Sequence, residues 1–453
     1  MTLPADAQRG RASALLDAVT VYFRRRVLIV ILLGFSAGLP FALSGGTLKA
    51  WMADRGVDPG TIGMVALFSL PYTIKFLWAP IVDALRVPWL SERLGRRRGW
   101  LVATQLLLMA TILVLASCDP VAAPLVAGLG AVLVAFASAT QDIVIDAYRI
   151  ESLPTEEQAA GMAGYVGAYR IGTLVSGAGV LYLTALLEGQ GLSKEVVWPI
   201  AYAVAAALVV VGLIAVLLGR EPEDRAPRSE PEAKADAVRR VFRTAWGAFA
   251  DFLSRDAAIA VLVFVVLYKL CDALAGNMIE TLLLSALKYD KETVAAVAKG
   301  VGVAATLIGG FAGGAVARAI PLAPALWLGA VLQMVSNLAY LWLYYQPVGA
   351  WPLTVAIVVE NFTGGVGTVI FVAYVSALCG NPLHTATQFA LLTALASFGR
   401  TVIAAGTGYV VEGVGWPLFF ISTVAAALPG LVLMAWLQRR GHFAPLDAER
   451  NGT

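Results

Sequence analysis

The chain has 453 residues, 59% hydrophobic and 14% charged, with a net charge of +3 and a mean hydropathy of +0.77. A soluble domain runs at about 45–50% apolar and about 25% charged, so this composition excludes a string of soluble domains and a disordered chain alike. The small net charge gives no cue for nucleic acid as a partner, and the apolar blocks leave no room for a soluble enzyme domain.

The apolar run that follows Arg24-Arg25-Arg26 covers 27–52. It is longer than the roughly 7–15 residues of a signal-peptide core, so it reads as a first spanning helix preceded by a short amphipathic stretch at 14–23. A spanning helix needs about 20 apolar residues. On that measure eleven more segments follow, at 61–83, 100–117, 121–148, 159–186, 197–219, 258–281, 292–317, 322–345, 352–379, 385–411 and 415–438. The longest gap between them, 220–257, is charged and carries prolines. It divides the chain into a terminal segment 1–26, a six-helix bundle 27–219, a linker 220–257, a second bundle 258–438 and a tail 439–453.

Lys and Arg in the connections are lopsided, with 22 on the side of the termini and linker and 4 on the other. Cytoplasmic connections carry the excess of basic residues, so both termini and the linker are expected inside. An internal repeat supports the division: Ala147-Tyr148 recurs as Ala373-Tyr374, Gly172 as Gly399, and Asp58 with Thr61 as Asp290 with Thr293. Copies six helices apart have the same topology, as in parallel repeats of the major facilitator fold. The expected fold class is therefore an all-α polytopic membrane protein with 12 transmembrane helices in two six-helix halves.

Ionisable residues inside spanning segments are costly and mark function. The first, second, fourth and fifth segments hold Lys49, Lys75, Asp83, Asp142, Asp146, Arg149 and Arg170. The seventh, eighth, tenth and eleventh hold Lys269, Asp272, Glu280, Lys299, Glu360 and Arg400, while the third, sixth, ninth and twelfth hold none. That distribution suits eight helices around a polar space and four towards lipid. Asp142 and Asp146 share a helix face. Asp83, Asp146 and Arg149 read as a salt-bridge latch at the cytoplasmic end, and Asp142, being deeper, as a site for a proton or substrate. Lys269 and Asp272, three residues apart, can neutralise each other. Arg170 lies about 16 Å into its helix at the standard rise; with Lys75 and Arg400 it could hold an anionic group, for which the guanidinium fork suits a carboxylate. Glu360 is the best isolated carboxylate for protonation. Tyr72 and Tyr165 could stack on a sugar ring or simply pack in the core. Cys118, Cys271 and Cys379 are far apart, and His384 and His442 stand at segment ends, so neither a metal site nor a cofactor is expected.

The matching stretches then suggest a family. Asp83, followed by Gly95-Arg96-Arg97-Arg98, resembles the loop signature of the major facilitators, with 84–94 inserted. GFSAGLP (34–40), SGGTLKAW (44–51), IKFLWAPIVD (74–83), GRRRGW (95–100), SATQDIVIDAY (138–148), VLYKLCDAL (266–274), VENFTGGVGT (359–368) and ATQFALLTAL (386–395) resemble, in order and across both halves, the anhydromuropeptide permease (AmpG) family. The resemblance implies proton-driven import of N-acetylglucosaminyl-anhydro-N-acetylmuramic acid, with or without its peptide, across the bacterial inner membrane. It further implies a role in peptidoglycan recycling and in signalling to β-lactamase induction. It carries over Gln141, Asp142, Lys269, Asp272, Glu360, Asn361 and Arg400 as positions inside matched motifs. Lys49 departs from the neutral Gln expected there and places an extra cation near the outer mouth.

The chemistry assigns substrate binding to Lys75, Gln141, Arg170, Lys269, Asn361, Arg400, Tyr72 and Thr47. Proton coupling falls to Asp142, Asp272 and Glu360, and the cytoplasmic gate to Asp83, Arg96, Arg97, Asp146 and Arg149. The partners expected are the sugar-peptide, protons and the bilayer, with the chain acting as a monomer. The alternative is a proton-coupled transporter of another bulky anion, such as an acyl-coenzyme A or a siderophore-like solute. Neither a His-rich cluster nor a nucleophile–base motif points to an enzyme.

Overall fold

The computed structural model describes residues 20–57, 61, 64–222, 234–381, 383–404 and 406–451. Helices dominate the described residues, and ten of them are long and apolar enough to cross a membrane. The segments 61–83 and 385–411 bring the total to twelve. The first of these is too broken to be read as a span by length alone, and the second is a single helix of 20 residues, Thr385–Ala404.

Several segments that read as continuous in hydropathy are interrupted. The first is split into α1 (Arg25–Leu43) and α2 (Gly46–Asp54). Pro40 lies inside the last turn of α1, and the Ser44 hydroxyl and amide both donate to its carbonyl, at 2.9 and 3.0 Å. The second segment is four short pieces: 3-10 turns at Met64–Ser69 and Lys75–Leu77 alternate with α3 (Leu70–Ile74) and α4 (Ala79–Ala84). Pro71 and Pro80 sit near the start of α3 and α4. A proline costs nothing there, but it denies the preceding turn a donor and so keeps the pieces from fusing.

After α5 (Leu90–Leu94), Gly95 turns the chain with φ +94° into α6 (Arg96–Ala116). A Cβ at Gly95 would collide with the Glu221 carboxylate, so close approach as well as φ requires glycine here. Then come α7 (Pro124–Ser152), α8 (Thr155–Leu174), a π turn at Val175–Gly179, α9 (Val180–Gly189), α10 (Lys194–Leu208) and α11 (Val210–Leu218). The linker 220–257 is more than a charged connection, since it contains α12 (Lys234–Leu253).

In the second half, α13 (Ala258–Tyr268) and α14 (Leu270–Thr281) meet at Lys269. A π turn follows at Leu282–Ala286. α15 (Lys291–Ala296) is capped by Asp290, whose carboxylate accepts the Thr293 amide at 2.7 Å. A second π turn, Val297–Gly302, leads into α16 (Val303–Ala319). The chain continues through α17 (Leu322–Tyr344), α18 (Ala350–Ala377), α19 (Thr385–Ala404), α20 (Thr407–Ala425), α21 (Leu428–Arg439) and α22 (Phe443–Asn451). Gly415, with φ +77°, kinks α20 just before Pro417.

The chain forms two compact units. The first comprises the chain up to Leu153 with Gly164–Gly247 and Asn381–Ala390; the second comprises Pro154–Ala163, Ala248–Gly380 and the chain from Leu391. In the first, Leu39, Leu43, Leu108, Ile112 and Val134 surround Trp51, which stacks on Trp198 at 5.9 Å. Glycine permits the closest helix contact: a Cβ at Gly38 would run into the Tyr169 carbonyl, and one at Gly172 into that of Phe35. The second unit repeats the device between α16 and α18, where a Cβ at Gly365 would stand 2.5 Å from the Thr306 carbonyl. Its core is built on Leu282, Tyr340, Leu353, Phe419 and Phe420.

Candidate functional site

Charge inside the first unit is gathered in two places. The first lies where α4 ends and α6 begins. Asp83, in the last turn of α4, has a fully buried side chain and accepts the Arg97 guanidinium at 2.8 Å. It also accepts the Thr387 amide at 2.8 Å, the Thr387 hydroxyl at 2.7 Å and the Ala386 amide at 3.4 Å. A carboxylate at the first turn of a helix satisfies donors that have no intrahelical partner and opposes the positive end of the helix dipole. Here that helix is α19. Arg97 spreads its fork between Asp83 and Glu151, with Nε donating to Glu151 at 2.9 Å. Arg96 donates to the Asp83 carbonyl at 3.0 Å. Glu221 accepts the amides of Arg97 and Arg98 at 2.7 and 2.9 Å, which caps α6 from the far side of the sixth segment.

Five residues were expected at this gate, and the structure brings Asp83, Arg96 and Arg97 together. Asp146 and Arg149 form their own pair at 3.8 Å, and the Arg149 guanidinium lies 5.4 Å above the Phe389 ring. Glu151, Glu221 and Thr387 complete the cluster and escape sequence reasoning. Glu151 and Glu221 look like ordinary solvated charges at segment ends, and Thr387 shows no charge at all.

The second gathering is further along α7. Lys75, at the 3-10 turn between α3 and α4, has its ammonium 3.9 Å from Asp146. Asp142, one turn away, lies within electrostatic reach of Lys75. Its buried Oδ1 has no hydrogen-bond donor among the described residues. The Tyr72, Phe41 and Tyr169 rings form a chain at 6.0 and 6.3 Å, extended by Tyr165 at 6.3 Å from Tyr169. Arg170 and Lys49 are exposed.

Gln141 and Thr47, expected to contact substrate, are both buried in this structure. Gln141 is completely buried, and its amide donates to Ser36 at 3.3 Å, which in turn donates to Gln105 at 2.9 Å. Thr47 is buried too and donates to the Ser176 carbonyl at 2.8 Å. Both hydrogen-bond neighbouring helices, and the Gln141 Oε1 is buried with no partner among the described residues.

In the second unit, Lys269 stands at the α13–α14 break. Its ammonium meets Asp272 at 2.8 Å and the Thr368 hydroxyl at 3.2 Å. Glu360, on α18, accepts the Asn361 amide at 2.8 Å and the Tyr340 hydroxyl at 3.3 Å. Asn361 accepts the Thr306 hydroxyl at 2.9 Å and donates to the Ile357 carbonyl at 2.9 Å. Asp272 and Lys269 lie within electrostatic reach of Glu360, so α14, α16, α17 and α18 meet in one polar cluster. Tyr340 belongs to the ninth segment, which carries no Asp, Glu, Lys or Arg and was expected to face lipid, so nothing in the sequence marks it. The side chains of Arg400, Glu280 and Lys299 lie outside the described residues.

Each unit thus holds a Lys–Asp pair inside the spanning region with a second carboxylate nearby. That set can exchange one cation partner for an anionic ligand and can take up or release a proton without stranding a lone buried charge.

Residues 30–384 match the Major Facilitator Superfamily. The chain is 39% identical over 414 residues to the anhydromuropeptide permease of Escherichia coli K12, covering 91% of this chain and 80% of that one. It is 31% identical over 420 residues to a putative transporter AmpG 4 of Rickettsia conorii, covering 92% and 97%. Among solved structures it resembles the transporter FucP in the outward conformation, with a TM-score of 0.65 at 15% identity over 92% of this chain and 99% of that one. It also resembles the proton:xylose symporter XylE, with a TM-score of 0.61 at 13% identity over 92% and 95%.

Proposed function

The chain belongs to the major facilitator superfamily of membrane transporters, and on that premise we propose that it imports anhydromuropeptides across the bacterial inner membrane, driven by protons. The observation that carries the substrate is the 39% identity to an anhydromuropeptide permease over 91% of this chain. The chain is a secondary transporter and not an enzyme. The excess of basic residues on one side supports placing both termini and the linker in the cytoplasm.

A disaccharide peptide is large, polar and anionic. Lys75 and Lys269 are held by Asp146 and Asp272 at 3.9 and 2.8 Å, so each presents a cation whose partner a substrate carboxylate can replace. Arg170, exposed on α8, adds a forked donor. Asn361 offers an amide, and the Tyr72–Tyr169–Tyr165 row offers ring faces for a sugar. We assign proton coupling to Glu360 and Asp142. Glu360 is held in place by two donors on one oxygen, and Asp142 has an oxygen with no donor to stabilise its charge. Asp272 serves chiefly to hold Lys269.

The Asp83–Arg97–Glu151 cluster with Thr387 is the latch that keeps α19 docked at the cytoplasmic end. Alternating access requires that latch to open in each cycle.

The test is uptake of labelled N-acetylglucosaminyl-anhydro-N-acetylmuramic acid into proteoliposomes with and without an imposed pH gradient. Uptake that rises with the gradient and collapses with an uncoupler is the expected result. No uptake by folded, correctly oriented protein transfers the assignment to another bulky anion and leaves the fold untouched.

A further inference from the structure

The linker helix α12 (KADAVRRVFRTAWGAFADFL) is too polar to span a membrane and is not among the spanning helices. Yet Val238, Phe242, Trp246, Phe249 and Leu253 are all exposed, Phe242 and Trp246 to 72% and 76%. They are spaced four, four, three and four residues apart, which lines them along one stripe of an α-helix. At 100° per residue, Arg239 and Arg243 fall along one edge of that stripe, and Arg239 is exposed like the stripe itself. Arg240 points to the opposite side, where it donates to the Ala84 carbonyl at 3.5 Å. Ala248 and Phe252, on the remaining side, are buried.

Two further observations place the helix at the level where the spans end. The Arg240 bond ties it to the last residue of α4, and the chain leaves one span at Leu218 and enters the next at Ala258, on the side with the basic excess. In the 85–95 connection at the same level, Trp89 is 57% exposed with the Arg93 guanidinium 4.6 Å above its ring. An apolar stripe bearing a tryptophan and edged by arginines has the make-up of a helix that lies in a membrane interface: rings in the acyl boundary, guanidinium groups among phosphates.

We propose that α12 is an interfacial helix that seats its Val238–Leu253 stripe in the cytoplasmic leaflet and binds anionic phospholipid headgroups through Arg239 and Arg243, with Trp89 and Arg93 as a second anchor. The occupant of the exposed face is the bilayer itself. The cationic edge selects phosphatidylglycerol-type lipids over zwitterionic ones, and the linker moves with the membrane surface and not freely in water. This rests on the basic side being cytoplasmic but not on the identity of the transported solute.

The test uses the full-length protein in bilayers of phosphatidylcholine with and without phosphatidylglycerol. Spin labels on single cysteines at Val238, Phe242 and Trp246 are compared with one at Thr244, on the opposite face. The stripe labels are expected to be open to oxygen and closed to an aqueous nickel relaxant, with the reverse pattern at Thr244. A parallel measurement on the otherwise native chain takes the difference between its fluorescence and that of Trp246→Phe. Brominated phosphatidylglycerol should quench it better than brominated phosphatidylcholine. The Arg239→Gln/Arg243→Gln double variant should lower that preference by on the order of 10- to 30-fold. Stripe labels open to nickel would overturn the membrane placement. Equal quenching by the two lipids, or no change in the double variant, would overturn the headgroup site.

Discussion

Replacing Asp83 with asparagine should release the start of α19 while leaving the fold intact. The carboxylate is fully buried and accepts one guanidinium donor, the Thr387 hydroxyl and two α19 amides. Hydrogen bonds to a charged group contribute roughly 1.5–3 kcal/mol each, and breaking a buried pair costs about 3–5 kcal/mol. Asparagine retains one oxygen for Thr387, and Arg97 retains Glu151, so the low end applies. About 3 kcal/mol is near 150-fold in the opening equilibrium. The readout is hydrogen exchange in a peptide spanning 385–390, measured in reconstituted protein, with a peptide around the buried Trp198 as the folding control. Exchange of the Thr387 segment should accelerate about 150-fold in Asp83→Asn. In Thr387→Val, which removes the hydroxyl and keeps the amide, the gain should be about tenfold, the equivalent of one weaker bond. If exchange in 385–390 stays within threefold of the native protein in both variants, Asp83 does not hold α19, and the latch assignment fails.

Three other outcomes are expected. Glu360→Gln should abolish gradient-driven accumulation but spare counterflow exchange, because the amide keeps contact with Asn361 and Tyr340 but cannot carry a proton; loss of both activities would make Glu360 a binding or structural residue. Gly38→Ala should lower the thermal midpoint in detergent by an amount equivalent to about 1–3 kcal/mol, since the added methyl meets the Tyr169 carbonyl; Gly276→Ala, with nothing within 4 Å, is the control. Burial lowers the pKa of His442 from 6.5 against an opposing effect from Asp256. The folded state thus favours the neutral ring, whose Nε2 pairs with the Tyr374 hydroxyl at 3.0 Å. The stability this contributes is present above pH 6.5 and is lost as pH falls through the lowered value. Protection in 443–451, measured against the intrinsic exchange rate at each pH, should therefore fall at acid pH in the native chain and lose that pH dependence in His442→Gln.

The spans were legible because hydropathy and the Lys/Arg bias are properties of local composition. Pairs on a single helix were legible too: three residues separate Asp146 from Arg149 and Lys269 from Asp272, and the helical period brings each pair together. What crossed between helices without a motif was not. Arg97 finds Glu151 at a sequence distance of 54 residues, and nothing in the spacing marks that meeting. Gln141 sits in a matched motif beside Asp142, but adjacent residues on a helix point about 100° apart. One turns its amide nitrogen into the Ser36–Gln105 contact while the other lies within electrostatic reach of Lys75. Tyr340 was hidden because one of five aromatics in an uncharged segment looks like any core residue. Prolines announced some breaks in the spans, but Lys269 and the π turns mark breaks that follow from tertiary contact.

The fragmented second segment bears on how the protein enters its membrane. A lysine at the centre of a helix costs roughly 2.5–3.5 kcal/mol on the scale for translocon insertion, and 3-10 turns break the 64–84 stretch into short pieces. Lys75 is relieved by Asp146 on α7, which the ribosome makes two spans later. The second span therefore gains its internal counter-charge only once α7 has been synthesised, so its final packing depends on the fourth spanning segment.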